Sequence, residues 1–514
     1  MKARNQIYQR TPGNKPGRSV FDLSHEVKLS ADFGQLIPIM CEDVVPGDVF
    51  ELGAEMIVRL NPLVAPILHE INAYVHTFYV PNRILMDEGD WHEFISKGPD
   101  GEDDVVLPLW QPSTKTDPAD WRASAPVGSA KGSLWDYLGL PTNIIPHVNC
   151  QPQDFPRRAY NKIWNWYYRD QDLQAEVAES NEAILRRAWE KDRFTVARPW
   201  QQRGTAPSLP VTGSVTWASG RIVNNEGNLP DAYTTGTYIE PNHPWFLVAG
   251  VEQKANMLAA LNTNTINATS VNVADLRVAI QLQRWMELNA RAGVRPDEFL
   301  QAHFGVSPRD ERLQEPEYIG GMKAPIIVSE VLQTSQTDTS PQGNMAGHGI
   351  GVSQGYIGKY RVLEHGWIIS LLSIMPRSMY QQGIPKRYLR RTPEEYFFPE
   401  YQHLSEDMIV QTEIYALDGT DNSTTEFGYQ GRYDEYRQRD SYVTADMRDT
   451  FDYWHMSRQF AAPPTLNATF VECVPRLDCF AVPSERPLIV SVGNIVKAIR
   501  PIAAVSDPGL MDHV

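Results

Sequence analysis

The 514-residue sequence predicts a mainly β protein, an antiparallel sandwich or barrel with one long insertion between two of its strands. Three observations predict it. Runs rich in β-branched and aromatic residues crowd the two ends of the chain. Proline (38) and glycine (34) are plentiful while charged residues make up only 21%, which favours turns over long helices. Between the strand-rich ends lies a stretch of helix-like and loop-like composition. The 42% hydrophobic content is ample for a packed core. No repeat with a period of about 20–50 residues occurs, which argues against propellers and solenoids.

Residues 1–20 are expected to form a flexible basic arm. Lys2, Arg4, Arg10, Lys15 and Arg18 precede the first acid, Asp22, and Pro12, Gly13, Pro16 and Gly17 forbid a regular element. The barrel is expected from 21–95 and 321–514. In its first part, 36–40 (LIPIM) is a short apolar run and Pro46-Gly47-Asp48 a turn. Residues 49–60 (VFELGAEMIVRL) read as a strand pair or one bent strand, and 71–80 (INAYVHTFYV) as a strand ended by Pro81-Asn82-Arg83. In its second part, strands are expected at 360–375, 408–416, 466–474 and 488–496.

Residues 96–204 and 271–320 read as an inserted loop and helix region. Residues 159–169 (AYNKIWNWYYR) are aromatic at helical spacing, and the Ala, Glu, Leu and Arg of 173–189 favour helix. A further helix follows Asn272, which can cap it, with Asp275 in its first turn. Leu276, Ala279, Ile280, Gln283 and Met286 share one of its faces, and Gly293 suits its C-terminal end. Residues 205–270, dominated by Thr, Asn, Gly, Ala and Pro, are too long for an ordinary connection and read as a surface excursion with a function of its own.

A net charge of −16 and a pI near 5.3 exclude a dedicated nucleic-acid-binding domain, so any DNA contact must come from a local patch. The arm is the best candidate. Its cations can neutralise phosphates by releasing counterions, without reading sequence, and Tyr8 can stack on unpaired bases. Contact with a neighbouring subunit is the alternative role for the arm. Arg157-Arg158 and Arg390-Arg391 are expected to serve salt bridges.

The four cysteines fit no zinc set and read as reduced thiols. There is no phosphate loop, no H-E-x-x-H and no G-x-S-x-G. Glu364-His365 and Asp512-His513 are acid–base neighbours, but neighbours on a strand point to opposite faces. Asp100, Glu102, Asp103 and Asp104 lack the remaining ligands of a calcium loop. No catalytic, cofactor-binding or metal-binding residue is therefore expected. The N-terminus has no apolar stretch of the signal-peptide kind, and the most apolar run, 367–375 (WIISLLSIM), is about half the length that spans a bilayer. A soluble chain made in the cytoplasm is expected.

An ordered series of motifs carries a family resemblance: 19–25 (SVFDLSH), 36–39 (LIPI), 46–48 (PGD), 77–83 (TFYVPNR), 158–165 (RAYNKIWN) and 169–171 (RDQ). It continues through 303–306 (HFGV), 312–318 (RLQEPEY), 342–344 (QGN), 380–383 (YQQG), 428–430 (GYQ), 433–437 (YDEYR), 454–457 (WHMS) and 464–468 (PTLNA). In this order the chain resembles the major capsid proteins of the gokushoviruses, within the Microviridae, nearly end to end and least between 205 and 270.

The resemblance implies an eight-stranded antiparallel jelly-roll barrel with very long loop insertions containing some helices. It implies a T=1 icosahedral shell of on the order of 60 copies around a circular single-stranded DNA genome. It implies a virion assembled in the cytoplasm of a bacterial host. The implied partners are further copies of the chain, the genome, internal minor proteins (DNA-pilot and small basic DNA-binding proteins) and a host-surface receptor met by a protrusion at 205–270. The rival reading is a carbohydrate-binding or carbohydrate-cleaving β-sandwich in which Trp164, Trp166 and Trp200 stack on sugars, although no carboxylate pair stands out for cleavage.

Overall fold

The computed structural model describes residues 17–87, 90–97, 105–113, 128–144, 146–207, 273–293, 295–332, 345–417, 419 and 422–504. The chain divides into two compact units, Met1–Gln201 with Ala292–Val514, and Gln202–Arg291.

The first unit is built on antiparallel strands. In chain order they are β1 (Ser19–Asp22), β2 (His25–Ala31), β3 (Ile37–Val44), β4 (Val49–Leu60), β5 (Ile71–Pro81), β6 (Glu317–Leu332), β7 (Met345–Arg361) and β8 (Gly366–Pro376). The short pair β9 (Asp407–Val410) and β10 (Glu426–Gln430) stands apart, and β11 (Leu488–Arg500) closes the series.

β1 and β2 run along the same edge of β11, with Asp22 opposite Lys497 and His25 opposite Asn494. Leu23 N donates to Val496 O (2.9 Å) and Val496 N to Ser24 Oγ (3.1 Å), so the two are one strand interrupted at a dipeptide. The expected eight strands are thus present, in the orders β2-β11-β4-β7 and β3-β8-β5-β6. The second half of β6 pairs with β7 and makes the two sheets continuous along one side. Each sheet interleaves early and late strands of the series, which is the jelly-roll arrangement.

The space between the sheets holds an aliphatic core. β4 alternates cleanly, burying Phe50, Leu52, Ala54, Met56, Val58 and Leu60 against Ile71, Ala73 and Val75 of β5 and Leu372 and Ile374 of β8. Full burial of each of the larger side chains among these contributes about 1.5–3 kcal/mol. The 49–60 run is one strand, not a pair. The WIISLLSIM run is the centre of β8, with Ile368, Leu372 and Ile374 in the core and Ile369 and Leu371 on the opposite face. A strand covered on both sides reads as a continuous apolar run.

That opposite face of the β3-β8-β5-β6 sheet is roofed by the connection 82–316 between β5 and β6. A second cluster forms there from Phe78, Trp110, Trp135, Phe155, Tyr160 and Ile163 among others. Trp110 meets Trp135 edge-on at 4.8 Å. The buried Tyr160 hydroxyl donates to Leu36 O (2.8 Å) and accepts from Leu185 N (2.9 Å), so no polar atom is stranded.

Several expectations need correction. The 360–375 run contains the end of β7, a turn and β8. Only the start of 408–416 is strand, because a 3₁₀ turn follows at Gln411–Glu413. Residues 466–474 form a helical turn, Ala468–Val471, started by Asn467 accepting from Phe470 N (2.9 Å). The 159–169 helix is real as Phe155–Ile163 with a π-helical turn at Trp164–Tyr168, but 173–189 is irregular. Side chains of the preceding helix take the place of helical bonds there. Asn165 Nδ2 donates to Val177 O (2.7 Å) and its Oδ1 accepts from Val177 N (2.9 Å), while Asn161 Nδ2 donates to Glu179 O and Asn181 O (both 2.9 Å). A second long connection, 377–487 between β8 and β11, runs through the second half of the chain.

In the second unit the main described element is the helix Val273–Ala292. Met286 and Ala290 are its buried apolar residues, whereas Leu276 and Ile280 of the expected face are exposed. Asp275 lies in its first turn, and Gly293 has φ +90°, the left-handed value expected after a helix end. Asn272 lies outside the described residues. Among the described residues no helix is long and apolar enough to cross a membrane.

Candidate functional site

Of the five arm cations, Lys2, Arg4, Arg10 and Lys15 lie outside the described residues, as does most of 205–270. Arg18 is exposed immediately before β1, beside the β3–β4 turn; a methyl group added at Gly47 would stand 3.5 Å from its Nη2. Arg500, next to Arg18 at this end of the sheet, pairs with Asp48 (3.2 Å) and donates to Asp43 O (2.6 Å). At this corner Arg500 is already held by the Asp48 carboxylate and the Asp43 carbonyl, and Arg18 faces solvent.

The largest feature that sequence reasoning missed is the back of the β2-β11-β4-β7 sheet. β7 inverts the usual alternation. Gly349, Gly351 and Gly355 face inward, and a methyl group added at them would meet Leu60 Cδ1 at 2.4 Å, Ile326 Cγ1 at 3.0 Å and Met322 Sδ at 3.1 Å. Ile350 and Val352 face outward, 39% and 73% exposed. Val352 stands opposite Ile57 of β4 (45% exposed) and Ile350 opposite Ile327 of β6 (70% exposed), so the four side chains form one apolar patch across three strands. A monomeric protein seldom leaves such a patch in water. The signal was present in the sequence as Gly349-Ile350-Gly351-Val352, a stretch not singled out there as a strand.

The connection 377–487 carries a second surface, rich in aromatics and arginine. Tyr388, Tyr396, Phe397 and Phe398 are exposed. Arg390 pairs with Glu435 (2.9 Å) and lies 4.1 Å over Tyr436. Tyr433, held at φ +65°, donates its hydroxyl to Glu394 O and Tyr396 O (both 2.9 Å) and fixes that loop. Aromatic and arginine side chains on a rigid base are the composition of interface centres.

The groups considered for chemistry are otherwise engaged. Arg157 binds Asp154 (2.6 Å) and Glu182 (3.4 Å), and Arg158 binds Asp154 (3.1 Å) and Glu179 (3.4 Å). Glu364 holds Arg83 (2.9 Å), while the His365 ring meets Trp91 edge-on. All four cysteines are free thiols, and burial pushes Cys473 and Cys479 up to about 12, which keeps them protonated and unreactive. Among the described residues no group of three metal-binding side chains occurs. Asp100–Asp104 and Asp512-His513 lie outside those residues. Trp164 is buried with its Nε1 on Arg186 O (3.0 Å), and Trp166 lies under the Arg295 guanidinium at 6.0 Å, so two of the three sugar-stacking candidates have other partners.

Comparison with known proteins adds to this geometry. Residues 10–510 match the model of the family described as capsid protein (F protein). The chain is 33% identical to capsid protein VP1 of Chlamydia phage 1, covering 96% of each chain. It is 31% identical to capsid protein VP1 of Bdellovibrio phage phiMH2K, over 94% of this chain and 92% of that one. It is 29% identical to capsid protein VP1 of Spiroplasma virus 4, over 92% of this chain and 90% of the relative.

Proposed function

The chain belongs to the capsid protein (F protein) family, and from that premise we propose that on the order of 60 copies close into a T=1 icosahedral shell around a circular single-stranded DNA genome. Membership makes it a structural subunit of a phage capsid and a component of the virion, and its named relatives are shell proteins, not enzymes.

The observation that carries the shell reading is β7. A strand that turns its glycines to the core and Ile350 and Val352 to solvent is built for a second surface, and a neighbouring copy supplies one. The aromatic and arginine surface on 377–487 supplies another contact. Lys2, Arg4, Arg10, Lys15 and Arg18 contact the genome; their support is the absence of any acid before Asp22 and the exposed corner from which Arg18 leaves the sheet. Residues 205–270 form the protrusion that meets a host-surface receptor, supported by their length and sparsely charged composition. With a net charge of −16 the shell does not neutralise a genome alone, so internal minor proteins, a DNA-pilot protein and a small basic one, share that work, and assembly takes place in the host cytoplasm.

The test is sedimentation and negative-stain imaging of the chain purified from infected or expressing cells. Particles of one size containing nuclease-protected, single-stranded DNA are expected. A stable monomer under the same conditions contradicts the proposal.

A further inference from the structure

A cleft of about 450 Å³ opens on the back of the β3-β8-β5-β6 sheet, within the first unit. This is the size range of small-ligand pockets. Its floor comes from His76 and Phe78, alternate residues of β5 that point away from the aliphatic core, with Tyr318 of β6 beside them. Its wall is the π-helical turn at Trp164–Tyr168, closed by Arg169 N donating to Trp164 O (2.9 Å). Such turns are rare and recur at functional sites. Here the widened turn brings Tyr167 within 4.7 Å of Phe78 and stacks Tyr168 on His76 at 6.0 Å.

Arg187 is the anomaly in this cleft. Its neighbour Arg186 pairs with Asp32 (3.0 Å), and Arg157, Arg158 and Arg193 all have carboxylates. Arg187 has none within ion-pair distance among the described residues. Its guanidinium donates to Ser373 Oγ (3.1 Å) and lies 4.6 Å over Tyr74 and 5.8 Å over Tyr168. A half-buried guanidinium with donors to spare and no counter-charge is costly unless an anion completes it.

The rest of the lining agrees. Arg169 donates only to the carbonyls of Asn165 (3.4 Å) and Gln174 (3.3 Å), and Lys191 has no ion pair among the described residues. The acids are already held. Glu190 accepts from Tyr74 and pairs with Lys323 (3.6 Å), Glu298 pairs with Arg295 (3.2 Å), and Asp170 caps Asp172 N (3.1 Å) and Leu173 N (3.2 Å). His76 adds no charge, since desolvation and then Arg187 hold it down at about 4.

We propose that this cleft binds one or two nucleotides of single-stranded DNA, with a phosphate on Arg187 and bases stacked against the Tyr168 and Tyr318 side of the cleft, where Tyr318 is exposed. The assignment rests on the reading that the chain encloses such a genome. Stacking on aromatic faces with cations on the backbone takes any base, as a packaged genome requires. A lysine-rich or arginine-rich protein segment is disfavoured as the occupant because the free charges of the cleft are themselves positive.

The test has two arms. Particles grown with bromodeoxyuridine in their DNA are irradiated, and cross-linked peptides are identified by mass spectrometry; adducts within residues 164–191 are expected. Purified subunits are titrated with fluorescent oligothymidylate of about eight nucleotides. Arg187→Gln is expected to weaken binding about ten-fold and to lower the slope of log affinity against log salt by about 0.7, with Arg187→Lys partly restoring both. Particles with DNA but no adduct in that segment, or Arg187→Gln binding within two-fold of wild type, overturn the cleft and leave the shell proposal standing. Adducts that map to a bound basic peptide instead of DNA overturn it as well. Subunits that bind oligothymidylate through Arg187 yet never form particles support the cleft and overturn the shell.

Discussion

The two sheets of the barrel treat their backs in opposite ways. The back of β3-β8-β5-β6 is covered by the chain itself, through Trp110, Trp135, Phe155 and Tyr160, and the aromatic cleft beside Arg187 stays open. The back of β2-β11-β4-β7 carries Ile57, Ile327, Ile350 and Val352 in the open. Burial drives both: one is completed within the subunit, and on the reading proposed above the other is completed in an assembly. On that reading the covered side carries stability of the single chain and the bare side carries self-association.

The largest effect is expected on the covered side. Trp135 is buried, donates Nε1 to Pro141 O (2.8 Å) and packs edge-on to Trp110, so Trp135→Ala should destabilise the subunit by about 3–5 kcal/mol in denaturant unfolding. A loss below about 1 kcal/mol would show that the roof is not part of the cooperative fold.

A smaller effect separates the sides by pH. His76, on the covered side, is lowered from 6.5 to about 4 by desolvation and by Arg187. The unfolded chain then binds the extra proton between those values. The stability from keeping His76 neutral is complete above about pH 6.5 and is lost as the pH falls toward 4. The melting temperature should drop by on the order of 5 °C across that window, and His76→Gln should flatten the dependence. An unchanged slope in His76→Gln would assign the acid sensitivity to other groups.

The smallest effect on the isolated subunit belongs to the bare side. Val352→Lys with Ile57→Lys should change unfolding by no more than about 0.5 kcal/mol per site, because neither side chain is buried. The same double variant should lose particle formation in sedimentation. Strong destabilisation of the monomer would mean the patch is packed within the subunit.

The two sides also differed in how far they could be read from sequence. β4 and β11 show period-two burial, and the runs of β5 and β8, buried on both faces, report strands covered twice. The helix Phe155–Ile163 announces itself by aromatic spacing. Residues 173–189 do not, because helix-favouring Ala, Glu and Leu were outweighed by distant partners, the amides of Asn161 and Asn165. Residues 466–474 were apolar enough for a strand, yet Asn467 caps a helical turn. Of the candidate site, the five arm cations were legible as charge. The β7 patch needed knowledge of which face met the core, and Arg187 needed the fold to show that no carboxylate among the described residues pairs with it.

Hydroxyl-radical footprinting of Ile57, Ile350, Val352 and Tyr356, in assembled particles and in dissociated subunits, addresses the bare face most directly. The account predicts strong protection of these side chains in particles and free oxidation in subunits, with Trp135 protected in both. Equal oxidation of Ile57 and Val352 in the two states would contradict it.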